Sequence, residues 1–394
     1  MKKLLLSFGL VAMIGLTAVC AQSSEKSTDS TLQISGSADI YYKYDVAHSS
    51  KFLTSVYSLT DEMGNKFNTL DFGMLDLKLK KTIGKATINS ELVFGPRGES
   101  KIDNGILAYY VQNLYLGYNV NNKLSFYTGV MYHYNSYEKL TAADNFNYAM
   151  SGSFLEQRKV PARSVGVKAA YKFSDKVKLE AGLYNSVNPL YNNSNQTLSA
   201  VNATPSFGLS DFAAQLTVLP VKDLELSAAI WAEGQKDNGT HTNFQAKYNA
   251  GKGWKLGLDV TDYSCKDSIV VAAGNAFSSF TSYALYIQKK VCSGYTVGLR
   301  YENMNRNDLP VSANQYISSS SAPLYSSFAD NATFTKSNYS MFTLTSAIKL
   351  GDLTLKQELK YDQINKLNKT PYIDKDGNIT DHSVQIYLAA VYTF

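Results

Sequence analysis

Apolar and polar residues alternate one for one along most of this 394-residue chain. Between Leu32 and Val46, Leu32, Ile34, Ala38, Ile40, Tyr42, Tyr44 and Val46 fall on one side. Gln33, Ser35, Ser37, Asp39, Lys43 and Asp45 fall on the other. The last residues repeat the rule, with Val384, Ile386, Leu388, Ala390, Tyr392 and Phe394 sharing a face. A period of two predicts strands with one apolar face. Short turns are predicted at Lys81–Lys85, Asn119–Lys123, Ser174–Lys176, Pro220–Asp223, Ala250–Gly253, Cys292–Gly294 and Gly351–Asp352. With the first and last strands these seven hairpins make about sixteen strands. The segment Phe67–Leu79 changes parity near Met74–Leu75, which suggests a bulge.

The connections between hairpins are long, polar and rich in Asn, Ser and Gly. They cover Ala47–Lys66, Gly95–Gly105, Asn135–Pro161, Asn188–Pro205, Cys265–Phe277, Asn305–Lys336 and Lys366–Asp381. Loops of that length are uncommon in a soluble domain. Short turns alternating with long loops suit a membrane barrel. An apolar face carried to the final residue also fits contact with lipid, with Tyr392 and Phe394 in an aromatic girdle. The expected fold is all-β: a transmembrane antiparallel β-barrel of about 16 strands, with short periplasmic turns and long extracellular loops. An even strand count closes the sheet and leaves no unpaired edge in lipid.

Lys2 and Lys3, an apolar stretch from Leu4 to Val19, and Val19-Cys20-Ala21 read as a signal peptide cleaved after Ala21. A lipoprotein acylated at Cys20 is the competing reading. Residues 22–31 are then a flexible lead-in and 32–394 the barrel. The apolar stretch is shorter than the ~20 residues of a spanning helix. The chain carries 29 Tyr and 18 Phe, enough for aromatic belts.

The net charge of +5 is too balanced to argue for nucleic acid. Cys265 and Cys292 fall at opposite ends of the strand pattern, so no disulfide is expected. Four widely spaced histidines give no metal-ligand pattern, and no cofactor is implied. Asp374-Lys375-Asp376-Gly377-Asn378 with Asp381 hints at a calcium loop, but lacks the closing Glu and reads as an Asp-Gly turn. His133 falls where it could face the lumen, without a marked catalytic partner.

The polar parity carries Lys43, Asn89, Glu91, Lys168, Lys178, Glu180, Glu225, Glu233, Lys255, Asp259, Arg300, Glu302, Lys356, Glu358 and Lys360. Aimed at lipid near the midplane, each Lys or Arg would cost about 2–4 kcal/mol, so these side chains are expected to line a wet lumen. The segment Asn135–Pro161 carries Glu138, Lys139, Asp144, Glu156, Arg158 and Lys159, with Arg163 just beyond. Folded inward, those mixed charges would form a constriction that selects solutes by size and charge. Folded outward, the segment would be an ordinary outer loop.

The stretch Asn145–Pro189 combines a polar-aromatic segment, a Pro, a Gly-centred strand, a Ser-Asp-Lys turn and a strand ending in Asn. Together with ISGSADIYYKYD at Ile34–Asp45 it resembles the OmpL-like outer-membrane porins. Ala149-Met150-Ser151 and Ala162-Arg163-Ser164 depart from the Arg and the His-Ser or His-Thr often found there in that family. The final Phe394 also resembles the terminal signal that outer-membrane barrels present to their assembly machinery. The resemblance implies a non-enzymatic channel for small hydrophilic solutes. The interleaved lumen charges imply weak ion selectivity. Outer-membrane lipid, the assembly machinery and further copies of the chain are the expected partners. A rim hydrolase on a narrower barrel, and a surface binding protein acting through Ala47–Lys66 or Asn305–Lys336, are the rivals.

Overall fold

The computed structural model describes residues 30–46, 68–97, 110–154, 163–185, 209–234, 239–264, 277–308, 335–366, 372–373 and 379–394. Sixteen antiparallel strands close into one barrel. They are β1 (Gln33–Asp45), β2 (Thr69–Ile83), β3 (Ala86–Phe94), β4 (Val111–Asn119), β5 (Leu124–Tyr132), β6 (Arg163–Ser174), β7 (Val177–Asn185) and β8 (Leu209–Val218). The circuit continues through β9 (Leu224–Ala232), β10 (Thr240–Gly251), β11 (Trp254–Ser264), β12 (Phe277–Cys292), β13 (Tyr295–Asp308), β14 (Thr335–Leu350), β15 (Leu353–Lys366) and β18 (His382–Thr393). A separate two-stranded pair, β16 (Tyr372–Ile373) with β17 (Ile379–Thr380), lies in the last long connection.

All seven short turns stand where the sequence put them, between β2 and β3, β4 and β5, β6 and β7, β8 and β9, β10 and β11, β12 and β13, and β14 and β15. The barrel closes by pairing β1 with β18, from Ser37 opposite Thr393 to Asp45 opposite Gln385. Gly36 and Phe394 complete that seam, exchanging backbone hydrogen bonds of 2.9 and 3.1 Å. The anticipated bulge is at Gly73: Asp39 pairs with Met74 and Ile40 with Phe72, so one residue of β2 is unmatched. A side chain at Gly73 would collide with the Asp39 carboxylate, which explains why glycine sits there.

The parity argument holds in three dimensions. Ile40, Leu116, Val167, Phe212, Leu285 and Leu344 are exposed on the outside of the isolated chain, whereas Asp39, Thr343 and Glu358 on the opposite parity are buried inside it. No helix among the described residues is long and apolar enough to cross a membrane. Wall height is uneven. β12 to β15 run for 14 to 16 residues, while β3, β4 and β5 have 9 each.

Residues 1–29, the long connections around Ala47–Lys66 and Asn188–Pro205, and Cys265 lie outside the described residues. So does the proposed Asp-Gly turn at 374–378, which lies between the paired Tyr372–Ile373 and Ile379–Thr380. Ser264, the neighbour of Cys265, pairs with Ser279, at the far end of β12 from exposed Cys292. That separation is about 40 Å along the strand, beyond any disulfide. Exposed Cys292 of the folded barrel is therefore expected to react with a maleimide without prior reduction; an unlabelled Cys292 would contradict this placement. Leu344→Arg, near the middle of β14 on the lipid side, is expected to destabilise the barrel by about 2–4 kcal/mol in vesicle unfolding experiments.

Candidate functional site: a segment folded across the lumen

The connection leaving β5 turns into the barrel, and residues 135–154 fold within it. β13 lies eight places from β5 in either direction round the sixteen-strand circuit, diametrically opposite. The segment crosses to that tall wall and is held there through its own backbone.

Carboxylates hold its amides. Glu358 on β15 accepts from the N–H groups of Tyr148 and Ala149 at 2.8 and 2.9 Å. Glu302 on β13 accepts from Gly152 and Ser153 at 2.9 and 2.6 Å. Cations hold its carbonyls. Arg300 donates to the carbonyls of Ala149 and Met150 at 2.9 and 3.2 Å, and to the Glu138 carboxylate at 2.8 Å. Glu138 in turn accepts from the Ser151 N–H at 2.8 Å, tying the two limbs of the segment together. Lys356 donates to the carbonyls of Ala142 and Asn145 at 2.6 and 2.5 Å. Arg97 donates to the Tyr148 carbonyl at 2.9 Å and lies 4.5 Å from the centre of its ring. The Tyr148 hydroxyl donates to Asp39 at 2.6 Å. Hydrogen bonds to charged groups contribute about 1.5–3 kcal/mol each, and buried backbone left unpaired is costly.

Shape reinforces the clamp. Two inward-facing glycines leave dents in the wall. A Cβ at Gly257 would lie 1.7 Å from the Tyr137 hydroxyl, and one at Gly298 would lie 2.6 Å from the Phe146 ring. Tyr137 also stacks on Tyr286, ring centres 4.2 Å apart. Apolar residues of the segment form two interior clusters with the wall. Leu140, Met150 and Phe154 pack with Met74 and Val93. Ala142, Tyr148 and Ala149 pack with Tyr41, Tyr387, Ala389 and Val391.

Space remains beside the segment. A cavity of about 490 Å³ lies between it and β2–β5, lined by Lys78, Glu91, Asn113, Tyr132, Lys139 and Asp144 among others. A second, of about 990 Å³, reaches the short turns and is lined by Glu225, Lys247, Tyr248 and Lys255 as well as Lys139 and Asp144. The two share Lys139 and Asp144, so these residues mark the waist. Lys78 bonds Asp144 across it at 2.9 Å. Burial alone would raise the Asp144 carboxyl, but hydrogen bonds from Lys78 and Thr141 prevail and hold it below the usual carboxylate range. Burial, aided by Lys247, lowers the Lys139 ammonium.

Several charges expected to line open water do other work. Arg300, Glu302, Lys356 and Glu358 are clamps, and they are 0 to 4 % exposed. Lys43 and Asp259 are likewise buried inside the barrel, with Asp259 accepting from Asn243 at 2.6 Å. The reason is physical: the inserted segment occupies the middle of the lumen and its backbone requires partners. Glu91, which accepts from the Asn113 side-chain amide, together with Glu225 and Lys255, borders the cavities. Lys168 and Glu180 pair at 3.3 Å. Glu233 accepts from the Gly239 N–H at 3.0 Å, and Lys360 is buried near Asp362 at 3.8 Å. Of the constriction residues, Glu138 is inside the segment. Arg163 is not: it starts β6 on the lipid-facing parity and donates to the Val111 carbonyl at 2.6 Å. Glu156, Arg158 and Lys159 lie outside the described residues.

The sequence reading missed an inward aromatic row near the long-loop end. Trp231, His241, Tyr263 and Phe280 are successive register partners across β9 to β12. Trp231 and His241 stack with centres 5.0 Å apart, and His133 packs on Trp231 at 4.4 Å. The signal was aromatic side chains at the polar parity. His133 shares a hydrogen bond of 2.9 Å with the Ser164 hydroxyl. Among the described residues no group of three or more His, Cys, Asp or Glu is placed to hold a metal ion.

Solved outer-membrane proteins have the same architecture. The anion-selective porin of Comamonas acidovorans aligns over 94 % of this chain and 100 % of its own, at 13 % identity and a TM-score of 0.57. The channel DcaP of Acinetobacter baumannii covers 95 % and 100 % at 12 % identity and 0.54, and OmpT of Vibrio cholerae 95 % and 99 % at 13 % and 0.53. At such identities the likeness concerns the fold. No curated protein sequence matches the chain. Residues 31–394 match the family described as "Putative beta-barrel porin-2, OmpL-like", and the chain belongs to that family of outer-membrane β-barrel porins.

Proposed function

We propose that the protein is a passive diffusion channel for small hydrophilic solutes, with the inserted segment as its size-limiting element. The carrying observation is the pair of cavities that flank the segment and meet at Lys139 and Asp144. Solutes pass beside the segment, between it and the wall built from β2 to β5, and leave through the vestibule at the short turns. Movement is downhill and uses no cofactor. Sixteen strands suit a channel wide enough to hold such an element, whereas the hydrolase rival called for a narrower barrel. No step of the proposal uses the buried His133–Ser164 pair.

The waist residues Lys78, Glu91, Lys139 and Asp144 place both signs of charge around a narrow passage, a device that orders polar solutes and screens them by size. Recognition of Phe394 by the assembly machinery belongs to the same proposal. So does association with further copies of the chain; the Vibrio cholerae OmpT neighbour is known in a trimer form.

The direct test is single-channel recording of the refolded chain in a planar bilayer. Stable open steps are expected; a folded but silent barrel would refute the channel. Glu358→Ala removes the acceptor for two amides of the segment and is expected to give larger, noisier steps. Gly298→Val, which fills the dent beneath Phe146, is expected to do the same without touching a charge. Unchanged conductance in both variants would show that the segment does not restrict the passage.

A further inference from the structure

The short-turn end of the lumen holds a cluster of lysines. Lys255, Lys290, Lys349 and Lys356 come from β11, β12, β14 and β15 and line one cavity of about 430 Å³. Register fixes all four on the inward parity: Lys255 lies opposite Gln288, Lys290 opposite Thr296, Lys349 opposite Thr354, and Lys356 opposite Ala347. The rest of the polar lining is neutral, from Asn145, Gln288, Ser293, Thr296, Thr354 and Thr393; no Asp or Glu borders the cavity.

Several other lumen lysines have an acidic partner. Lys168 and Lys178 share Glu180 at 3.3 and 2.8 Å, and Lys247 meets Glu225 at 3.3 Å. Lys356 is occupied with the carbonyls of Ala142 and Asn145. Among the described residues Lys255, Lys290 and Lys349 make no ion pair. Facing inward, these side chains do not reach lipid headgroups. Like charges crowded into one recess raise its potential and concentrate anions there. The recess adjoins the larger vestibule through shared Asn145, Phe146, Lys255 and Gln288, so an anion held in it stands beside the exit path.

We propose that this recess is a binding site for small multivalent anions, bearing carboxylate or phosphate groups, and that it gives the channel an anion preference. The proposal rests on the channel reading and names the solute class that reading left open. Charges of both signs line the waist, whereas the lining of this recess carries only positive ones.

Reversal potentials across a potassium chloride gradient test it. At about 0.1 M salt, where screening extends only ~10 Å, a chloride-over-potassium permeability ratio of about 3 is expected, shrinking as salt rises. The variant K290Q/K349Q is expected to keep its open steps and fall to a ratio near one, while K290R/K349R retains the preference. Millimolar inorganic phosphate is expected to lower chloride conductance in the unmodified chain and not in the glutamine variant. A wild-type reversal potential at zero or on the potassium side overturns the proposal, whether or not the variants fold. So does undiminished anion preference in a folded glutamine variant. A silent barrel refutes the channel reading instead, and calorimetric titration with phosphate then decides the site separately: heat lost in the glutamine variant supports it, and no heat in the unmodified chain overturns it.

Discussion

Backbone carried through the inside of a barrel needs partners for its N–H and C=O groups, and the wall has to supply them. Strand backbone cannot, because its own groups are committed to the ladder. Side chains are left, and the strongest acceptors and donors among them are charged. Glu302 and Glu358 each serve two consecutive amides, while Arg300, Lys356 and Arg97 serve carbonyls. Much of the interior follows from this. The tall wall of β12 to β15 supports the clamp on β13 and β15, and the segment springs from β5 on the opposite side. The charges also bury one another. Arg300 meets Glu138 with both nearly inaccessible to solvent, an arrangement that is costly to break from one side only.

The clamp divides the lumen unequally. Where the segment docks, the interior resembles a packed core, with tyrosines, methionines and alanines filling gaps between fixed ion pairs. Elsewhere space and solvated charge remain, beside Lys78, Glu91, Asn113 and Tyr132 and towards the short turns. A single insertion thus converts a wide cylinder into a passage beside a solid partition.

The barrel was legible because its signals are local. Turn residues mark hairpins, and parity follows from a period of two, so the strand count and the bulge by Met74 could be read directly. The task of each inward charge was not legible. Parity says that Glu358 faces inside; it does not distinguish facing water from facing the amides of a segment some 210 residues earlier in the chain. Arg163 shows the reverse difficulty. It seemed to continue the charged loop, yet it begins a strand, and one position decides which side of the sheet it serves. Two clues to the insertion were present in the sequence. Gly257 and Gly298 interrupt the inward faces of their strands, and Tyr137 and Phe146 are the large rings that fill those dents. Pairing them required the fold.

A partition held in this way behaves as a fixed filter. Moving it would break the charge-assisted hydrogen bonds to Glu302, Glu358 and Arg300 together and expose the apolar side chains packed against the wall. Opening by spontaneous withdrawal of the segment would therefore be rare, and on the proposed channel reading solutes pass around it. The clamp fixes where the passage runs. On the proposed route, the residues that a solute meets lie outside the clamp: Lys78, Lys139 and Asp144 at the waist, and the lysines beyond it. The buried charges conspicuous in the sequence build the partition, and the less prominent ones beside it meet the solute.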